Sequence, residues 1–490
     1  MRIRIVGTGV MGRGIAQWAA TAGHTVELAD ARPESVGEAV EFVRSMINRA
    51  VEKGRTSAEE GAAIVDRLVP LAEVAEPGDV DLVIEAVRED IETKAALFGD
   101  LEKVLPATTV FATNTSSLPI TQIGATLADP SRLAGLHFFN PVPLMKIVEV
   151  IPGAATRPDL VETLTTLVRE TGHRAVVVSD TPGFLINHAG RGLVTEALAL
   201  LEEQVAEPAV LDRIARDVLG LRMGPFELMD LTGLDVTATV IESIWTGFRY
   251  ADRLRASYLT PNRVAAGLHG RKTGRGWFEY GADAPEITEP EITGDATRAV
   301  WAEQSLQDAI PEANWQQSDS SLVLVSTWGT TVAAAVAEQG LPADRTFGVD
   351  PLSLDTGRRV LAVTPAADPV AARDAAAILA SGGKKVSIVR DTAGGVAQRL
   401  LSSIVSVAAS IAEHGIASPG DIDLGVTTGL GYPVGPLAWG DRIGADRLVA
   451  LQRALHASTG DPRYRPTRWV LERAQLGLPL TEAGTSPADV

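Results

Sequence analysis

Near the N-terminus, Gly7-Thr8-Gly9-Val10-Met11-Gly12 joins the apolar run Ile3, Ile5, Val6 to a stretch where Ile15, Trp18, Ala19 and Ala22 recur on one helical face. Each glycine in such a turn has a task. Gly7 permits the tight turn out of a strand, Gly9 lets the backbone approach a pyrophosphate, and Gly12 lets the helix pack on the strand. Unpaired N–H groups at the helix start then face the anion. Gly23-His24 stops the helix, and Thr25–Ala29 reads as a second strand ending at Asp30. Asp30 can accept hydrogen bonds from both ribose hydroxyls and repels the phosphate that distinguishes NADP. The glycines alone are a weak signal. With a strand, a helix and an acid at the right distance they read as a site for NAD(H). Arg32 could accommodate a 2′-phosphate and keeps NADP open as the alternative.

The pattern continues in α/β fashion. Arg32–Lys53 and Asp90–Leu105 read as helices, and Val80–Ala86 and Val110–Thr113 as strands. Glu89 and the cluster Asn114-Thr115-Ser116-Ser117 follow strands, where ligands of such sheets bind. A helix N-cap is the competing role for Ser116. At 490 residues there is room for several domains of roughly 150 residues each. The absence of cysteine excludes disulfides, thiolate metal sites and cysteine nucleophiles, and it fits a reducing cytoplasm, the expected location. The start reads as a strand, its apolar run too short for a signal peptide. No apolar stretch is long enough to span a bilayer. A formal charge of -18 argues against nucleic-acid binding, which needs a basic face.

His137 closes the apolar run of Gly135-Leu136-His137-Phe138-Phe139-Asn140-Pro141-Val142-Pro143 and should lie at a strand's mouth. Glu149 sits among Ile147, Val148, Val150 and Ile151, so its carboxylate should be buried and in need of a partner. An imidazole would serve, the two forming a general base and its orienter. The other reading of His137 is a satisfied core histidine beside phenylalanines. A dehydrogenase acting on an alcohol needs a base for the hydroxyl proton and neutral donors for the oxygen. His137, Ser116 and Asn187 could supply these roles, and no motif suggests a metal.

Together with Pro182-Gly183-Phe184-Leu185-Ile186-Asn187, Met223-Gly224-Pro225-Phe226-Glu227-Leu228-Met229-Asp230 and Arg271-Lys272-Thr273-Gly274-Arg275-Gly276-Trp277, these segments resemble the L-3-hydroxyacyl-CoA dehydrogenases over residues 1–282. The resemblance implies NAD as cofactor, an acyl-CoA as substrate, His137 as general base and Glu149 as its partner. It implies that Ser116 meets both cofactor and substrate and that Asn187 holds the substrate's C3 oxygen. Gly7, Gly9, Val10, Met11, Gly12 and Asp30 would bind the dinucleotide. Ala86, Glu89, Lys94, Asn114, Asn140 and Lys272 would complete that site. Lys53 falls where the family has a lysine reaching the CoA phosphates, with an ordinary solvated lysine as the alternative. Two departures stand out. His188 replaces the arginine that commonly follows the asparagine, and Gly190-Arg191-Gly192 is glycine-rich.

The second half repeats the first without a gap. Asp180-Thr181 and Gly183 recur as Asp391-Thr392 and Gly394; Gly224-Pro225, Asp230 and Gly233 recur as Gly435-Pro436, Asp441 and Gly444. Glu202, Pro208 and Asp212 match Glu413, Pro419 and Asp423, while Asn187 falls on Gln398. No second glycine turn accompanies the strand-like runs Leu322–Val325, Val360–Val363 and Val386–Val389.

The expected architecture is an α/β N-terminal Rossmann domain followed by an all-α helical domain, then a degenerate second Rossmann-like segment and a duplicated helical domain. The boundaries are 1–181, 182–282, a linker over 283–317 with a short helix around Arg298–Asp308, then 318–390, 391–482 and a tail over 483–490. One active site per chain is implied, with the second half completing the acyl pocket, mimicking a subunit interface, or both. A two-copy chain of this kind resembles the long bacterial branch of the family, which includes 3-hydroxybutyryl-CoA and 3-hydroxyadipyl-CoA dehydrogenases. A homodimer is expected. The competing functions are a dehydrogenase of a free hydroxy acid or sugar acid, and a non-catalytic NAD-binding protein. Arg191 and Arg222 are candidates to meet a distal carboxylate, with an exposed structural arginine as the other reading of each.

Overall fold

Ile3, Ile5 and Val6 are buried, as a strand covered by helices on both faces requires, and Arg2–Val6 forms β1 at the centre of a sheet. Thr25–Ala29 (β2), Leu68–Pro70 (β3), Leu82–Glu85 (β4), Val110–Thr113 (β5), Leu133–Phe138 (β6), Ile147–Pro152 (β7) and Arg174–Val177 (β8) join it in the order β3-β2-β1-β4-β5-β6-β7-β8. The pair β6–β7 is antiparallel and its neighbours are parallel. The first six strands have the doubly wound order whose switch point, beyond the ends of β1 and β4, is where such sheets bind ligands. Trp18, on the helix Val10–Thr21, anchors one face. Its indole N–H donates to Thr171 Oγ1 at 2.8 Å and its ring meets the edge of Phe138.

The structure, a computed structural model, describes residues 1–490, the side chain of Ala488 apart. Two units make up the chain: Met1–Ile186 with His414–Leu430, and Asn187–Glu413 with Gly431–Val490. The first sheet lies in the first unit. The second unit holds Val300–Trp301 (β9), Leu322–Val325 (β10), Thr346–Val349 (β11), Arg358–Val363 (β12) and Lys385–Arg390 (β13), in the order β13-β12-β11-β10-β9. Here too one pair, β11–β12, is antiparallel, and β12 covers the repeat mates of β7 residue for residue. The small sheet therefore reproduces β8-β7-β6-β5-β4 and lacks counterparts of β1, β2 and β3, the strands that carry the glycine turn.

Two boundaries differ from the sequence reading. The stretch 283–317, expected as a linker with a short helix around 298–308, has that helix at Gln304–Ala309 but also contributes β9, so the second sheet starts at Val300. A two-residue strand is too short to show a period. The second helical copy also does not stay together, because residues 414–430 belong to the first unit. There Ile416 accepts the Ser179 N–H at 2.8 Å. In the second unit the helices Arg191–Glu202 and Ala397–Glu413 pack along each other. Their contact is close because Gly192 lies against the backbone of Ser403 and Ile404.

Candidate functional site

The turn after β1 is built as its glycines require. Gly7 has φ +90°, and a Cβ there would lie 2.6 Å from the Ala86 carbonyl oxygen; a Cβ at Gly12 would strike the Gly7 carbonyl. Gly9 differs, since no atom lies within 4 Å of a Cβ built there. The helix Val10–Thr21 that it caps has no side-chain cap and no acid in its first turn. An open approach and an uncapped, electropositive helix end fit the pyrophosphate of a dinucleotide. Asp30 stands at the end of β2, accepting the Thr8 N–H at 2.7 Å and the Arg32 N–H at 3.0 Å.

Beyond β4 and β5 lies a second cluster. Glu89 Oε1 accepts from the hydroxyl of Thr115 and the N–H groups of Ser116 and Ser117, at 2.7–3.0 Å. Burial raises the Glu89 carboxyl, but the Thr115 hydrogen bond, the Lys94 charge and the serine donors outweigh it and hold the group below the usual carboxylate range. Ser116 is exposed and caps no helix. Lys94, expected among the cofactor contacts, is 1% exposed and bridges Glu85 at 2.6 Å and Glu89 at 3.5 Å, so it acts from beneath the surface. Asn114 is similarly occupied, its Oδ1 accepting the Phe138 N–H at 2.8 Å. Glu85 was missed in the sequence. Fully buried, it also takes the Thr113 hydroxyl and the Val87 N–H.

The antiparallel register of β6 and β7 sets His137 opposite Glu149, which puts both side chains on one face. His137 Nδ1 and Glu149 Oε2 are 2.6 Å apart, and both residues are buried. The second carboxylate oxygen accepts the N–H groups of Leu185 and Ile186, each at 2.9 Å. Those donors are aimed by a left-handed pair, Gly183 (φ 75°) and Phe184 (φ 51°). Phenylalanine is a costly residue for that conformation. Its ring lies 5.8 Å from the imidazole, with the Phe139 ring at 4.4 Å on the same group. An ionised carboxylate accepts from Nδ1, so Nδ1 carries the proton and Nε2 keeps a lone pair free to take one.

Lys53 ends the helix Pro33–Glu52 and lines a cavity of about 430 Å³ together with Arg13, Arg49, Arg55 and Asn140. The three arginines come from two helices and a loop, and no single motif announced them. Asn187, Arg191 and Lys272 belong to the second unit, where Lys272 pairs with Asp235 at 2.6 Å. Among the described residues, no cluster of three or more His, Asp or Glu side chains could hold a metal ion. No helix is long and apolar enough to cross a membrane.

A glycine-turn nucleotide site on the same sheet as an imidazole held by a buried carboxylate defines a dinucleotide-dependent dehydrogenase. The 3-hydroxyacyl-CoA dehydrogenase NAD-binding domain matches residues 2–181, and the C-terminal domain of the same family matches twice, at 183–280 and 394–486. The second match opens at Gly394, the repeat mate of Gly183. The chain belongs to the 3-hydroxyacyl-CoA dehydrogenase family. It is accordingly an NAD-dependent oxidoreductase acting on 3-hydroxyacyl-CoA. A 3-hydroxyadipyl-CoA dehydrogenase of Escherichia coli K12 is 36% identical over 475 residues, 97% of either chain. A probable 3-hydroxybutyryl-CoA dehydrogenase of Bacillus subtilis is 37% identical over 279 residues, covering 57% of this chain and 97% of its own length. The crystal structure of a 3-hydroxybutyryl-CoA dehydrogenase from Escherichia coli K12 superposes with a TM-score of 0.88 at 35% identity, covering 97% of this chain and 98% of that one.

Proposed function

We propose that His137 is the general base that takes the C3 hydroxyl proton of an L-3-hydroxyacyl-CoA, oriented by Glu149. The carrying observation is the 2.6 Å His137–Glu149 pair, with the other carboxylate oxygen tied to the N–H groups of Leu185 and Ile186. Three hydrogen bonds fix the carboxylate, and the carboxylate fixes the tautomer that leaves Nε2 free. NAD, when bound, would supply the acceptor for the C3 hydride. Gly7, Gly9 and Gly12 hold its pyrophosphate and Asp30 its ribose. Glu89 reaches it from a position set by Lys94 and Glu85. Ser116 and Asn187 donate to the substrate. Lys53, with Arg13, Arg49 and Arg55, offers cationic partners to the CoA phosphates. The two named kinds of relative differ at the far end of the acyl chain, a methyl group in one and a carboxylate in the other.

Steady-state assays with 3-hydroxybutyryl-CoA and NAD test this. His137→Ala should lower kcat about 10²- to 10⁴-fold, the usual worth of a positioned base, while NADH still binds by fluorescence titration. A variant within a few-fold of the parent removes His137 from the chemistry. A free hydroxy acid turning over as well as its thioester, or no NADH formed from any 3-hydroxyacyl-CoA, overturns the substrate reading. The working location is the cytoplasm. A homodimer would use a surface other than the helix Arg191–Glu202, which the helix Ala397–Glu413 of the same chain covers.

A further inference from the structure

We propose that Arg191 receives the distal carboxylate of the acyl chain, making the preferred substrate a 3-hydroxydicarboxylic acyl-CoA of about six carbons. The inference rests on the reading above, in which Asn187 holds the C3 oxygen.

Of the two readings of Arg191, the exposed structural arginine does not hold. Arg191 is 9% exposed. Gly190 is helical (φ −60°, ψ −18°), so the turn Ile186–Ala189 runs on into the helix Arg191–Glu202, and Asn187 and Arg191 stack on one face. Arg191 Nε donates to the Asn187 carbonyl at 2.9 Å, which folds the guanidinium back over the turn that carries the asparagine. Its Nη1 is buried and has no hydrogen-bond partner. No carboxylate pairs with it among the described residues.

Arg473, also buried, has no acid either, but it spends its guanidinium on three backbone carbonyls, whereas Arg191 has one, and most other buried arginines pair with a carboxylate. Arg4 has Glu27, Arg132 has Glu102, Arg358 has Asp217 and Glu289, and Arg399 has Glu196. A buried cation without a counter-charge is costly. The ionisable neighbour of Arg191 is Tyr432, a buried phenol pushed above its usual range, and burial brings the Arg191 guanidinium down to about 10. Both observations describe a dry site that lacks an anion. Arg222 flanks the same loop, its Cδ 3.6 Å from the position of a Cβ on Gly431, and adds a second, exposed positive charge.

Length selects the anion. One helical turn advances about 5.4 Å, close to the reach from a C3 oxygen along three carbon–carbon bonds to a C6 carboxylate. The CoA phosphates lie on the other side of the thioester. A carboxylate also suits the planar guanidinium, which binds it with parallel hydrogen bonds.

The experiment compares two substrates of equal length, 3-hydroxyadipyl-CoA and 3-hydroxyhexanoyl-CoA, in the parent and in Arg191→Met, which keeps the stem and removes the charge. The parent should favour the adipyl substrate in kcat/KM by about 10- to 100-fold, the range for a hydrogen bond to a charged group. Arg191→Met should erase that preference through KM. Equal losses on both substrates, or a parent that prefers the hexanoyl chain, overturn the proposal and leave Arg191 a structural or CoA-facing residue. Should Arg191→Met not fold, inhibition of the parent by adipyl-CoA against hexanoyl-CoA decides the same question, equal inhibition counting against it. A chain that oxidised neither substrate nor 3-hydroxybutyryl-CoA would instead defeat the underlying 3-hydroxyacyl-CoA reading.

Discussion

At the residue scale, Glu149 is the residue on which the proposed base depends, because its two oxygens answer three donors. Glu149→Gln keeps the shape and changes that arithmetic. The new carbonyl would face Leu185 and Ile186, which turns the amide N–H₂ toward His137. Nδ1 must then accept, the proton moves to Nε2, and the base is lost. The expected fall in kcat is about 10²- to 10⁴-fold, with NADH affinity retained; a loss below tenfold would show that the tautomer does not matter. The pair was legible in the sequence because a polar residue in each of two apolar runs asks for a partner, and adjacent strands supply one. Lys94 and Glu85 were not legible in their true role. The resemblance puts Lys94 at the cofactor, and only the fold shows its ammonium buried between Glu85 and Glu89. Phe184 was also opaque, since nothing in its neighbours demands φ 51°. Its repeat mate, Gly395, holds the same left-handed region at no steric cost, with φ 55°. The residue with strain is the one beside the imidazole.

At the element scale, the two copies cap equivalent helices with the same acid. Asp180 accepts the N–H groups of Ile120 and Thr121, and Asp391 those of Val332 and Ala333. The turn that precedes Asn187 is rebuilt in the second copy with its polar groups tied to one another. Asp350 accepts from Ala397, repeat mate of Ile186, and Gln398 spends its side chain on Gly329, Thr327 and Asp350 instead of on a substrate. Space there is closed as well, because a Cβ on Gly329 or Gly394 would meet Ala454 or Leu455 of the helix Ala445–Thr459. Burial pushes the Asp350 carboxyl up to about 6 from 3.8. The folded chain thus holds this proton more tightly than the unfolded chain does. Its contribution to stability is full below about pH 4, shrinks as pH rises toward 6 and is level above that. Thermal unfolding of Asp350→Asn against the parent should show the difference between the two proteins changing over that window, by up to about 3 kcal/mol. Asp212, pushed to about 7 by burial, leaves its own slope in both proteins. Parallel stability curves from pH 4 to 8 would contradict the assignment. The missed strand β9 belongs to this scale too, since its two residues pair with β10 only after the rest of the sheet exists.

At the scale of the whole molecule, the halves exchange a segment. Ser179 donates to Ile416, and its repeat mate Arg390 donates to Val205, the repeat mate of Ile416. Within each unit, a helical segment of one copy therefore meets the sheet of the other copy. Charge breaks the symmetry. Arg399, fully buried, pairs with Glu196 at 2.6 Å, and Tyr464 donates to the same carboxylate at 2.7 Å. Burial works against the Arg399 charge, but Glu196, Tyr464 and Glu203 hold its proton well above the ordinary range. The repeat mate of Glu196 is Val407. His188, the mate of Arg399, has its ring 4.6 Å from Phe248. Arg399→Leu leaves buried Glu196 with Tyr464 and the more distant Arg463, at 3.7 Å, and should destabilise the chain by about 3 kcal/mol. The double variant Arg399→Leu/Glu196→Leu removes both charges and should recover most of that loss. Urea unfolding of the parent, both single variants and the double variant measures the coupling. If the double variant is as unstable as the sum of the singles, Arg399 and Glu196 are not coupled across the two helices.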